Sequence, residues 1–392
     1  MKLLARCAAL AATCLLAVSA VPAAAQALTY LGQQIVPTNA GFRGLPVGGL
    51  SSIDYVPATG RYLAICDDRS DRGPARFYEL ALDLGKFRRN ANPGEAGVSW
   101  VNMTTMLDLN GQPFERNQVD PESLRLDARR NLIYWANEGQ RVNGAMQNPT
   151  LRRMHPDGKP AGEFPVPAYY LPVGSASGLA AGDMGVYNNL AFESVALTPD
   201  GKTMWTMVEN GLSQDSPTTA VGRASRTRLL SFDLDTGKAG AEYVYDVGPV
   251  PFPPARQGDF ATNGVSEMLA LSDHEFIVIE RAFAVGAATP GTAAHTKQPT
   301  GNTIRLFRVD TRGATDVSGW VTLRGKDLVP AKRTMLLDLS SLKNDDGSVL
   351  AVDNIEGITF GPMFEGKRTL ILLSDNNFNP SQFTQFIALT ID

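Results

Sequence analysis

The stretch Glu193-Ser194-Val195-Ala196-Leu197-Thr198-Pro199-Asp200-Gly201-Lys202, continued by Met204 to Val208 and closed by Glu209-Asn210, decides the fold. Two short β-rich apolar runs flank a Pro-Asp-Gly turn, which is the signature of an antiparallel hairpin. The opening phrase recurs along the chain as an acidic or polar residue, a small or apolar one, then alternating apolar positions. It reads Ser51-Ser52-Ile53-Asp54-Tyr55 first and Glu122-Ser123-Leu124-Arg125-Leu126 second. The copy at Glu193 is third, and Glu267-Met268-Leu269-Ala270-Leu271 and Glu356-Gly357-Ile358-Thr359-Phe360 follow, at spacings of 71, 71, 74 and 89 residues.

Each phrase leads through a turn to a second apolar run: Tyr62 to Cys66, Met204 to Val208, Phe276 to Ile279 and Leu370 to Leu373. Third runs follow at Arg76 to Leu80, Arg228 to Leu234, Thr303 to Val309 and Gln382 to Leu389. Fourth runs are visible at Thr104 to Leu109, Ala241 to Val247 and Thr334 to Leu339. Four short strands per repeat, packed radially, make propeller blades. The expected fold is therefore an all-β propeller of four-stranded antiparallel blades. Five repeats are evident, and the stretched spacing leaves room for a sixth between Asp310 and Lys343. The last repeat lacks a fourth strand, which Leu28 to Val36 can supply, closing the ring and hiding both sheet edges. One domain over residues 28–392 is expected, against the alternative of two separate β-domains.

Residues 1–25 read as a signal peptide. Lys2 and Arg6 precede an apolar run from Cys7 to Ala20, and Ala23-Ala24-Ala25 forms a small-residue exit. The expected location is periplasmic or secreted, and the mature chain should not span a membrane. Removing the segment leaves 34 basic against 40 acidic side chains, a net charge of −6 rather than −4. That mild acidity gives no footprint for nucleic acid. Cys66 alone of the 3 cysteines lies beyond the segment, so no internal disulfide is expected. A monomer is expected.

The second runs end on Asp67-Asp68, Asn137-Glu138, Glu209-Asn210, Glu280-Arg281 and Asp375-Asn376. In a hairpin the start of one strand lies beside the end of the next. Glu122 should therefore neighbour Glu138, Glu193 should neighbour Glu209, Glu267 should neighbour Glu280, and Glu356 should neighbour Asp375. Inner strands of a propeller start on one face, so these acids should gather at one mouth of the channel. So many carboxylates repel unless cations intervene. Hard oxygen donors at several angles suit calcium, with six to eight ligands. The expected metal ligands are Asp67, Glu122, Glu138, Glu209, Glu280, Glu356 and Asp375, with Asn210, Asn376 and Asn377 available to complete the shell. His155, His274 and His295 form no ligand-spaced pair, which argues against zinc. Arg69, Arg72, Arg76, Arg141 and Arg281 lie close to the acids in sequence, and guanidinium binds phosphate oxygens in bidentate fashion. Glu193, Glu267, Arg69 and Arg281 are the candidate catalytic residues.

The phrases Gly49-Leu50-Ser51-Ser52-Ile53-Asp54, Asp120-Pro121-Glu122-Ser123-Leu124, Ala191-Phe192-Glu193-Ser194-Val195-Ala196 and Asp353-Asn354-Ile355-Glu356-Gly357-Ile358 resemble the phytase-like domain family, also described as having esterase-like activity of phytase. The resemblance runs from about Gly48 to Ile391. It implies comparison with six-bladed propeller phytases, in which calcium ions on one face bind phosphate and supply the attacking water. The chain departs from that pattern in lacking a lysine at the mouth, since Lys202, Lys238 and Lys367 fall in turns on the far side. That departure puts phytate itself in doubt as the substrate.

The expected function is calcium-dependent hydrolysis of a small-molecule phosphate ester. Water would be activated by metal and a glutamate, with arginine holding the phosphate. A non-catalytic propeller that binds a ligand or protein through the same face is the first alternative, and a lactonase-like hydrolase the second. Gly174-Ser175-Ala176-Ser177-Gly178 has alanine where a nucleophile elbow needs serine. No phosphate-binding loop or dinucleotide fingerprint is present. The long loops at 143–148, 174–189, 214–226 and 285–302 exceed the usual connection length, and most emerge on the acidic face.

Overall fold

The computed structural model describes residues 27–391; the expected signal segment lies outside them. Blade 1 comprises Leu50–Val56, Arg61–Cys66, Arg76–Leu82 and Val98–Thr105. Blade 2 comprises Pro121–Asp127, Leu132–Asn137, Thr150–Met154 and Pro160–Phe164. Blade 3 comprises Phe192–Leu197, Thr203–Val208, Ser225–Asp233 and Ala239–Val247, and blade 4 Ala261–Ala270, Glu275–Ala284, Asn302–Asp310 and Lys332–Asp338. Blade 5 takes Asn354–Phe364, Lys367–Asp375 and Thr384–Ile391 from the end of the chain and its fourth strand, Leu28–Val36, from the beginning. That closing strand runs antiparallel to its neighbour, from Leu28 opposite Ile391 to Val36 opposite Thr384. The ring is thereby sealed without leaving a sheet edge at the seam.

The propeller has five blades. The stretch between Asp310 and Lys343 forms no sixth. Residues 311–331 instead ride on the outer strand of blade 3: Val317 N–H donates to the Glu242 carbonyl and Ala331 N–H to that of Val244. Val317 and Leu323 close over Val244 there. The fourth strand of blade 1 lies at Val98–Thr105, earlier than the run from Thr104 to Leu109. Among the described residues the only helical turns are three short 3-10 segments, and no helix is long and apolar enough to cross a membrane.

The core sits between blades. Successive side chains of a strand point to opposite faces, so a strand flanked by two blades must be apolar on both. In blade 5, Leu370 and Leu372 pack against Ile277, Ile279 and Leu306 of blade 4. The alternating Ile371 and Leu373 pack against Ile53, Tyr62 and Ala64 of blade 1. Equivalent clusters fill the interfaces between blades 1 and 2, 2 and 3, and 3 and 4.

A polar bolt crosses the channel inside this core. Arg125 of blade 2 donates to the carbonyls of Ile53 in blade 1, Met268 in blade 4 and Ile358 in blade 5. Its guanidinium lies 3.1 Å from Glu267 of blade 4, whose carboxylate also accepts from Ser52 at 2.5 Å and Ser123 at 2.8 Å. Ser123 Oγ accepts in turn from Val195 N–H of blade 3. All five blades are therefore tied through one ion pair that is closed to solvent. Removing one partner of such a pair leaves the other charge buried alone, at a cost of about 3–5 kcal/mol. Arg125→Met should therefore destabilise by about that amount in denaturant unfolding, and Glu267→Gln by less, because the amide still accepts from the serines. A loss below about 1 kcal/mol for Arg125→Met would show that the bolt is dispensable.

Candidate functional site: the acidic mouth of the channel

Every inner strand breaks register at the same place. Pairing jumps between Leu50 and Ser52, Pro121 and Leu124, Phe192 and Ser194, Val265 and Glu267, and Ile355 and Gly357. The bulged residues are Ser51, Glu122, Glu193, Ser266 and Glu356. A bulge frees one residue from the ladder and re-aims its side chain, here into the channel mouth. The second strands reach the same mouth just beyond the pairs Leu50–Cys66, Pro121–Asn137, Phe192–Val208, Val265–Glu280 and Ile355–Ser374. The next residue in each is Asp67, Glu138, Glu209, Arg281 and Asp375.

Blade 4 is thus out of phase with the sequence reading by one residue at both positions. At the equivalent positions stand Ser266, whose hydroxyl donates to the Ile355 carbonyl, and Arg281, which lines the mouth, not Glu267 and Glu280. Glu267 falls in the layer below, where Ser52 and Ser123 stand, and is fully buried as part of the bolt. Glu280 turns sideways into the interface with blade 3. It accepts from Tyr245 Oη at 2.7 Å and Asn263 Nδ2 at 2.9 Å and pairs with Arg333. A one-residue slip in a period of two moves a side chain to the other face, and that is the physical reason both glutamates miss the mouth.

The other expected acids do converge. Asp120, Glu122 and Glu138 place one oxygen each within 4.8 Å of one another, and so do Glu138, Glu193 and Glu209. Glu138 belongs to both triads. One of its oxygens accepts from Ala191 N–H at 2.8 Å; the other is buried without a partner. Asp120 Oδ2 and Glu209 Oε1 are buried as well, and each is met only by an arginine, Arg69 and Arg281 respectively. Asp67, Glu356 and Asp375 complete the wall of a cavity of about 310 Å³. Ser51 Oγ lies 2.7 Å from Glu122 Oε2 and 3.0 Å from Glu356 Oε2, bridging two blades with one hydroxyl.

Two arginines face the acids. Arg281 lies 3.2 Å from Glu356 and 3.5 Å from Glu209, joining blades 5 and 3 across blade 4. Arg69 pairs with Asp120 and donates to Asn189 Oδ1 at 2.7 Å. The remaining arginines are used elsewhere. Arg76 is buried against Asp68, and Arg141 pins the 173–190 loop through the carbonyls of Val173, Ser175, Met184 and Val186. Arg72 sits on the rim over the Phe378 ring. Asn210 spends its side-chain oxygen on the N–H of Thr219 and Asn376 on those of Phe378 and of Gly49 just ahead of blade 1, whereas Asn377 lines the cavity. Asp120 was not among the expected ligands, because an acid at that position occurs in blade 2 alone; the Asp-Pro-Glu run was its signal. Gly264 is required for closeness: a Cβ there would stand 2.2 Å from Glu209 Oε1.

Burial sets the electrostatics. It is the largest cause pushing Asp67 and Glu138 up to about 8, reinforced by Glu356 and Asp120 beside the first and Asp120 beside the second. Glu209 rises to about 7, with Arg281 pulling against burial. Glu122, Glu193 and Asp375 are raised well above the carboxylate range by burial and then by each other's neighbours. These acids keep protons in the folded chain that the unfolded chain has already released above about pH 4.5. The folded state then binds more protons, so stability falls with rising pH. In chelator, the unfolding temperature should drop as pH rises from about 5 to about 8, as differential scanning calorimetry would register. A flat profile would contradict the buried cluster.

Comparison with known proteins places the chain. It covers 88% of its length on a structure titled "Structure of Dos1 propeller", at 8% identity, 68% coverage of that chain and a TM-score of 0.35. It covers the same 88% on a "Crystal structure of a thermostable family-43 glycoside hydrolase", at 11% identity, 89% coverage of that chain and a TM-score of 0.43. No match is found among the curated proteins. The model of one family, described as Phytase-like, esterase-like activity of phytase, matches residues 45–378. The match spans most of the chain and includes every strand that lines the mouth, and the chain belongs to the phytase-like family.

Proposed function

We propose that this protein hydrolyses phosphate esters at the acidic mouth, with calcium as the resident cation. The observation that carries the reading is the pair of buried carboxylate triads sharing Glu138, with Glu138 Oε2 left without a partner and Asp120 Oδ2 and Glu209 Oε1 each met only by one arginine. Buried polar atoms without partners are rare and point to an unseen ion or water. The donors are all hard oxygens, as calcium prefers. The residues present therefore fit the ion, with Asp120, Glu122, Glu138, Glu193 and Glu209 as its holders and Asp67, Glu356 and Asp375 on the facing wall.

Bound calcium would lower the pKa of a coordinated water and polarise a phosphoryl oxygen. The chain's own groups supply the rest. Arg69 and Arg281 flank the cavity and are placed to hold phosphate oxygens, releasing part of their pairing with Asp120, Glu356 and Glu209 as they do so. Glu193 lines the open cavity and, once a bound cation has displaced its proton, would be the carboxylate placed to take the proton from the attacking water. The water oxygen bonds to phosphorus, the ester P–O bond breaks, and the alcohol leaves with a proton from solvent at the open mouth. The arginines favour a phosphate over an uncharged lactone. The alanine-rich opening of the chain supports export to the periplasm or beyond, where a calcium site of moderate affinity suffices.

Calorimetric titration with calcium, paired with turnover of a phosphomonoester and a phosphodiester with and without chelator, tests the reading. Glu138→Gln should weaken calcium binding by at least about tenfold, since it removes a ligand from both triads. Arg281→Met should leave calcium bound but lower kcat by roughly 10²–10³, the scale for losing one transition-state donor. Binding without turnover of either ester would leave a ligand-binding propeller, and no binding of calcium would remove the metal.

A further inference from the structure

The mouth opens sideways into a second cavity of about 640 Å³ between the tops of blades 4 and 5. The two share Asn189, Arg281, Glu356 and Asn377, so they form one continuous cleft with Arg281 at the joint. A phosphate and its metal occupy the mouth; the larger space beside it lies where the rest of an ester must go. Its size falls within the range of small-molecule sites.

The lining of this space tells what it holds. On one side Phe260 is 63% exposed, beside the half-buried Phe283 at a centroid distance of 6.3 Å, with exposed Val285 next to them. A large aromatic left uncovered beside a polar site offers a face for stacking and apolar contact. The lining also carries uncharged hydrogen-bonding groups, among them Thr296, Gln298, Asn302 and Asn379. The charged side chains of the lining are the carboxylates Asp353 and Glu356 and the single guanidinium of Arg281, which Glu356 and Glu209 already engage. A second phosphate placed here would meet two acids and, among the lining residues, no cation beyond the engaged Arg281.

We infer that this cleft is the leaving-group subsite of a phosphate monoester whose alcohol is flat, partly apolar and uncharged, of the size of a phenol or a nucleoside, rather than of a multiply phosphorylated polyol. The inference rests on the phosphoester reading of the mouth and adds the class of substrate. Phe260 and Phe283 are specificity-determining residues in it. They contact the leaving group and leave the phosphate alone.

The test separates this subsite from catalysis by using binding first. Phenylphosphonate and methylphosphonate carry the same anion, differ in the organic group and cannot be hydrolysed as esters. With calcium present, calorimetry should show phenylphosphonate binding roughly tenfold more tightly. Phe260→Ala, at an exposed position that the fold does not need, should erase most of that difference and leave methylphosphonate unchanged. Phe283→Leu, a conservative change, should reduce it in part. In turnover, Phe260→Ala should raise KM for phenyl phosphate with KM for glycerol phosphate unmoved, and inositol hexakisphosphate should be the poorest substrate. Equal binding of the two phosphonates, or inositol hexakisphosphate as the preferred substrate, would overturn the subsite. Turnover of no ester, with the phosphonate preference intact and lost in Phe260→Ala, would overturn catalysis at the mouth while sustaining the subsite.

Discussion

The ion pair between Arg125 and Glu267 is the constraint on which the ring depends. A propeller of five blades leaves a narrow channel, and the inner strands that line it present backbone carbonyls that no neighbouring strand satisfies. Arg125 supplies donors to three blades besides its own, and Glu267 collects the serine hydroxyls of blades 1 and 2. The pair fixes the height of the inner strands relative to one another. That height decides which residues of each blade emerge at the mouth. The apolar clusters between blades supply the bulk of the burial, but they are tolerant of a small axial slide in a way that a buried guanidinium fork is not.

Above the bolt the molecule runs against its own stability. One bulge per blade turns a residue into the mouth, and in three blades that residue is a glutamate. The second strands add four more carboxylates and one arginine. Burying like charges this close raises their pKa values and weakens the fold as pH rises, which no structural role requires. Arg281 offsets part of the repulsion between Glu209 and Glu356 and Arg69 pairs with Asp120, yet Glu122, Glu138 and Glu193 have no ion pair among the described residues. Strain of this kind persists where a ligand relieves it. Site and scaffold are therefore coupled: the bolt sets the register, and the register sets which acids meet at the mouth.

Much of this was legible in the chain. The Pro-Asp-Gly turn after Glu193 and its weaker counterparts gave the hairpins, and the 71-residue spacing gave the blades. The missing last strand pointed to Leu28–Val36, which pairs as expected. Hairpin neighbours such as Glu122 with Glu138 and Glu193 with Glu209 meet at the mouth. Blade 4 was not legible, because its Glu267 matches the phrase by residue type while its Ser266 matches by backbone position. Only the packing of Met268, which takes the place of Leu124 and Val195 in the core, resolves the offset. The bulges themselves leave no mark in a pattern of alternating residues. The 89-residue gap invited a sixth blade, yet its extra residues cover the outer strand of blade 3, a tertiary choice that spacing does not encode. Phe260 stood apart from every repeat, and its exposure beside the site is visible only in the fold.

We propose that the buried carboxylates form a cation site that holds protons until the cation arrives. Calorimetric calcium titration at pH 7 in buffers of different ionisation enthalpy measures it most directly, because proton release then appears as a buffer-dependent heat. Binding should be accompanied by net release of protons, about one or more per calcium bound, since burial pushes Asp67 and Glu138 up to about 8. Binding with heats that do not depend on the buffer would mean that the acids are already ionised and the mouth is not the frustrated cluster described above. No binding would contradict the cation site itself.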